Sequence, residues 1–113
     1  MKLYGIKTCD AVRKARKFMK EHQIDYTFVD FRETPVGEAE ITEWLQKVSI
    51  DTLFNNRGTT YRTLKLKDKN LTDEEKAKWL AKENMLIKRP VITFDDQVVV
   101  GFNEERYRNL FTK

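Results

Sequence analysis

The chain carries a single cysteine, so no intramolecular disulfide can form. It has one histidine and no Cys-x-x-Cys pair, which removes the usual ligand sets for zinc, and no bound metal is expected. Four glycines and two prolines in 113 residues exclude a collagen-like, linker-rich or low-complexity chain. No apolar run approaches the roughly 20 residues of a membrane span, and no signal-type apolar segment opens the sequence. These absences predict a cytoplasmic protein, in a compartment that keeps thiols reduced, without membrane contact.

What is present fits one globular domain of ordinary composition, 40% hydrophobic and 35% charged. The net charge of +4 comes from 22 basic and 18 acidic residues that are interspersed, so nucleic acid is not an expected partner. One local excess stands out. Lys7, Arg13, Lys14, Arg16, Lys17 and Lys20 surround Cys9 and the segment after it. Most of these cations lie opposite an apolar stripe and read as a solvated helix face.

Leu3–Ile6 reads as a short buried strand. Ala11, Val12, Ala15, Phe18 and Met19 then recur at helical spacing, with Asp10 as the expected N-cap. Tyr26–Phe31, rich in aromatic and β-branched residues, predicts a second strand, and the three elements make a βαβ unit with parallel strands. Ile41, Trp44, Leu45 and Val48 predict the next helix, and Asp51–Asn56 a single helical turn. Arg57–Arg62 has no period and reads as a loop. Thr72-Asp-Glu-Glu75 is a capping box opening another helix that turns Ala77, Trp79 and Leu80 inward. Val91–Phe94 and Gln97–Val100 flank Asp95-Asp96 as an antiparallel hairpin, and Asn103 caps a last helix. The order, βαβ, helices, ββα, predicts an α/β chain on a small mixed sheet.

Cys9 lies where a strand gives way to a helix, at the carboxyl end of a parallel strand. A helix N-terminus favours negative charge, Arg13 is one turn further on, and Lys7 is two residues before; Asp10 opposes them. The other reading of Cys9 is a small buried hydrophobe. Arg57 and Arg62 flank Gly58-Thr59-Thr60, a stretch rich in hydroxyls and amides of a kind that suits an oxyanion.

Over nearly its whole length the chain resembles the arsenate reductase (ArsC)-related family, its YffB-like branch above all. "YGIKTCDAVRKARKF", "LFNNRGTTYR" and "IKRPVI" carry the resemblance. It implies a thioredoxin-like fold, one domain over residues 1–113 with a helical insertion at about 35–85. It also implies that Cys9 is the catalytic nucleophile, with Arg13, Arg57 and Arg89 as oxyanion-binding residues; Lys7 joins them on charge. Pro90 would be the cis-proline facing the cysteine loop. Two positions depart from the family's arsenate reductases: their upstream histidine falls near Gly5, and their third arginine falls in Val99-Val100-Gly101-Phe102. Both departures count against arsenate as the substrate.

With no second cysteine, an outside thiol must restore Cys9. The resemblance therefore implies a monomeric thiol reductase that uses glutathione as co-substrate, with a glutaredoxin as a further partner. The same superfamily contains Spx-type regulators that bind the transcription machinery and usually have Cys-x-x-Cys, where this chain has Val12. A non-catalytic protein of that kind is the alternative expectation.

Overall fold

The structure, a computed structural model, describes residues 1–112. Strand β1 (Lys2–Gly5) buries Leu3, Tyr4 and Gly5 and leads through a short turn into helix α1 (Asp10–Glu21). The helix buries Val12, Ala15, Phe18 and Met19, a stripe at i, i+3, i+6 and i+7, and leaves its basic residues outward. It ends with Gln23 at φ 55°, whose N–H donates to Lys20 O while that of Ile24 reaches back to Met19 O. This closure satisfies the last carbonyls of the helix and turns the chain toward β2 (Thr27–Asp30). β2 then pairs with β1 in parallel, Gly5 opposite Asp30.

After the helical middle of the chain, β3 (Val91–Phe94) pairs antiparallel with β1, Tyr4 opposite Val91, and β4 (Gln97–Val100) pairs antiparallel with β3. Asp95 and Asp96 both have positive φ, 43° and 64°, the geometry of a two-residue hairpin turn matched to strand twist. The sheet order is β2-β1-β3-β4. Helix α6 (Glu104–Phe111) begins at Asn103, whose Oδ1 accepts from the Arg106 N–H at 2.9 Å. Its Tyr107 is fully buried with Leu3, Val12, Phe18, Ile92 and Val99. The fold is α/β and thioredoxin-like: βαβ, then helices, then ββα on a mixed sheet.

The backbone divides into two compact units: Met1–Glu33 with the segment from Arg89 onward, and Thr34–Lys88. The second unit holds α2 (Glu38–Leu45), α3 (Ile50–Leu53), α4 (Thr59–Thr63) and α5 (Asp73–Lys82), with 3-10 turns at Leu66–Lys69 and Asn84–Leu86. Its buried hydrophobic residues are Val36, Ile41, Trp44, Leu53, Phe54, Leu66, Leu80, Leu86 and Ile87. Asn84, also buried, donates to Val36 O and Leu80 O and accepts from the Val36 N–H. The reciprocal Thr72–Glu75 capping box is present at the start of α5.

Two local expectations are corrected. The N-cap of α1 is Cys9, with extended φ and ψ of −84° and 127°, and Asp10 is the first helical residue. Arg57–Arg62 is not a loop throughout, because Thr59–Thr63 forms the short helix α4 behind Gly58 as N-cap. A one-turn helix shows no apolar period, since too few of its positions face a core.

Candidate active site

β1 ends and β3 begins at the same end of the sheet, because they pair antiparallel. Parallel β2 ends there as well. Residues that follow β1 and precede β3 therefore converge on one rim: Cys9 from the first side, Arg89 and Pro90 from the second. The turn between β1 and α1 is held by the Cys9 N–H donating to Ile6 O at 3.3 Å, and the helix starts with the Arg13 N–H on Cys9 O at 2.9 Å. Cys9 is half-buried and packs against the core of its unit, yet its thiol makes no capping hydrogen bond. Gly5 is what lets α1 come this close to β1. A Cβ there would meet Val12 Cγ2 at 2.5 Å.

On the facing side, the Arg89–Pro90 peptide bond is cis and Pro90 is buried. Arg89 is partly buried, and its Nε is buried, so the root of the guanidinium is fixed against the fold. Pro90 O accepts from the Gly101 N–H at 2.8 Å, and Gly101 O accepts from the Tyr107 hydroxyl at 2.6 Å. Gly101 takes φ 86°, a left-handed conformation suited to glycine. Burial pushes the Tyr107 hydroxyl well above its ordinary pKa, so it stays a proton donor to Gly101. Gly101 and Tyr107 are thus second-layer residues of this rim that sequence reasoning passed over. A glycine directly after a β-branched strand and before an Asn cap was the readable signal.

The charged residues are less convergent. Arg13 is exposed and its guanidinium pairs with the carboxylate of Asp10. Lys7 is exposed and lies 3.7 Å from Glu33. Both cations therefore have an acidic neighbour on the same rim. Arg57 belongs to the second unit. There its N–H donates to Asn55 Oδ1 at 3.1 Å, its carbonyl accepts from Arg62 Nη1 at 3.2 Å, and its side chain lines a cavity with Arg62. Among the described residues no group of His, Cys, Asp and Glu is arranged to hold a metal ion, and no helix is long and apolar enough to cross a membrane.

The Cys9-started helix shares its sheet end with the Arg89–cis-Pro90 strand start, and the ArsC family model matches residues 4–110. The chain belongs to the ArsC family. It is 38% identical over 110 residues to an uncharacterized protein of Haemophilus influenzae, covering 96% of each. The solved structure of a YffB protein superposes with a TM-score of 0.89 at 30% identity, covering 96% of both chains. A crystal structure described as "a possible arsenate reductase" from Streptococcus mutans gives 0.77 at 32% identity over 90% of each chain. Its relatives also include global transcriptional regulators named Spx, such as that of Listeria innocua, at 27% identity over 98% of this chain and 86% of the regulator. ArsC-family membership and the thioredoxin-like fold thus agree with the resemblance read from the sequence.

Proposed function

We propose that this ArsC-family chain is a monomeric, cytoplasmic thiol reductase with Cys9 as its nucleophile and glutathione as its reductant. The observation that carries the reading is the N-cap position of Cys9 on α1, at the sheet end that also begins with Arg89 and cis-Pro90. A helix N-terminus stabilises charge in an attacking sulfur and in an anionic substrate. Arg89, with Arg13 and Lys7 of the same unit, would hold the negative charge of an oxyanion or of the glutathione carboxylates.

With arsenate, Cys9 Sγ attacks arsenic, an S–As bond forms and one arsenate oxygen leaves as water. Glutathione sulfur then attacks Cys9 Sγ; the S–S bond forms and the S–As electron pair stays on arsenic, releasing arsenite. A second glutathione attacks the mixed disulfide, giving oxidised glutathione and the free Cys9 thiol. With a glutathione mixed disulfide as substrate, Cys9 attacks the glutathione sulfur and the substrate thiol leaves, so the last step is shared. The chain has one cysteine, so neither route can close internally. A glutaredoxin can take the place of the second glutathione.

The test measures oxidised glutathione formed from arsenate, and separately from a small glutathione mixed disulfide, by wild-type protein and Cys9→Ser. Turnover of either substrate that vanishes in Cys9→Ser supports the reading; no turnover of both by folded wild type sinks it. A second reading, a regulator that docks on the transcription machinery, is favoured by the Spx relatives. It requires RNA polymerase binding that Cys9→Ser leaves intact.

A further inference from the structure

The helical unit contains a cavity of about 430 Å³ lined by Arg57, Tyr61, Arg62, Lys65, Lys67 and Asp68. Four cations and a single carboxylate share this small volume, whereas the whole chain has 22 basic against 18 acidic residues. None of these four cations forms an ion pair with a carboxylate among the described residues. All four are exposed, so water and salt screen their mutual repulsion while their charged ends stay open to an incoming anion. The backbone adds to the concentration. Lys65, at φ 54° and ψ 39°, closes α4 with its N–H on Arg62 O, and the 3-10 turn that follows sets Lys65 and Lys67 on either side of buried Leu66.

The size of the cavity selects the kind of anion. A bare phosphate would occupy a small part of about 430 Å³, a volume typical of sites for ligands with an organic body. Tyr61 supplies an aromatic wall, and its ring is held edge-on to Phe54 at 5.9 Å and 86°. Arginine and lysine stems extend that apolar wall while their charged ends remain available. We infer that this cavity binds a nucleoside phosphate, its ring against Tyr61 and its phosphates among Arg62, Lys65, Lys67 and Arg57. The site lies within the helical unit and does not depend on Cys9.

The test follows backbone amide NMR shifts of the full chain on titration with ADP, pyrophosphate, adenosine and oxidised glutathione. ADP should shift the amides of residues 56–68 and saturate, with pyrophosphate and adenosine each binding at least about tenfold more weakly and oxidised glutathione leaving these amides in place. Lys67→Glu, an exposed position, and Arg62→Gln should each weaken ADP by about tenfold or more at unchanged thermal unfolding. Cys9→Ser should bind ADP as wild type does, which separates this site from the thiol chemistry. Absence of shifts at millimolar ADP overturns the proposal, as does pyrophosphate binding as tightly as ADP. Unchanged ADP affinity in Lys67→Glu, or tighter binding of a single-stranded oligonucleotide than of ADP, overturns it too.

Discussion

Gly5 and Val12 are packed so closely that a Cβ on Gly5 would lie 2.5 Å from Val12 Cγ2 and 3.2 Å from Val12 Cγ1. Val12 is fully buried, so its side chain has no room to turn away. Gly5→Ala is therefore expected to push α1 off β1 and move Cys9 with it. The expected cost is about 1–3 kcal/mol in denaturant unfolding, with slower alkylation or turnover at Cys9. Shrinking the partner should relieve the clash: Gly5→Ala with Val12→Ala should lose less than the sum of the single losses. Strict additivity in that cycle would remove the close approach as the cause.

Asp10 sits beside Cys9 in sequence and holds the Arg13 guanidinium. Asp10→Asn removes a negative charge from the helix start and releases a positive one. The reaction of Cys9 with an anionic aromatic disulfide is expected to accelerate about two- to fivefold, the scale of one exposed charge pair. The acceleration should shrink in high salt. An unchanged rate at low salt would show that Arg13 does not act on this thiol.

Asn84 joins two stretches of the helical unit through Val36, with all of its amide atoms engaged. Asn84→Leu is nearly isosteric but strands a buried N–H and two carbonyls. A loss of about 2–4 kcal/mol is expected in urea unfolding.

The Glu75 carboxylate accepts from the Thr72 N–H, and that hydrogen bond, with the Thr72 side chain next, holds its pKa below the usual carboxylate value. A depressed folded pKa means stability that is present above the unfolded value and lost as pH falls through the folded one. Wild type should accordingly exceed Glu75→Gln in stability near neutral pH, and the gap should close as the pH drops below about 4.3. Thermal unfolding of the two proteins across that range checks it.

Tyr107 gives the opposite dependence. Its folded pKa is raised by burial, so its contribution is complete below the unfolded value of about 10 and falls away as pH rises beyond it. Tyr107→Phe should flatten the alkaline loss of stability while costing about 1 kcal/mol at neutral pH for the missing bond to Gly101.

Much of the framework was legible because its signals are local. The apolar stripe of α1, the Thr72–Glu75 box, the Asp95-Asp96 turn and the Asn103 cap each declare themselves within a few residues. Cys9 at a strand–helix junction was legible for the same reason. The slip from Asp10 to Cys9 as N-cap has a clear origin: aspartate is the better cap by propensity, but the turn from Ile6 sets the helix start one residue earlier. What escaped is non-local. The partner of Asn84 is Val36, 48 residues away, and the link from Pro90 to Tyr107 passes through Gly101. The pairing of Arg13 with Asp10 also escaped, since spacing alone puts Arg13 within reach of either neighbour.

The sheet order has a consequence for how the chain is made. The whole helical unit lies in the chain between β1 and its antiparallel partner β3, which begins only at Val91, and Tyr107, fully buried in the core they share, comes later still. On the ribosome, β1 and β2 can pair while the other edge of β1 stays bare until β3 has emerged. The helical unit, by contrast, is continuous in sequence, Thr34–Lys88, and is complete before β3 begins. A nascent chain halted before β3 should thus carry helical structure beside an open strand edge, the kind of edge that recruits chaperones or a second copy.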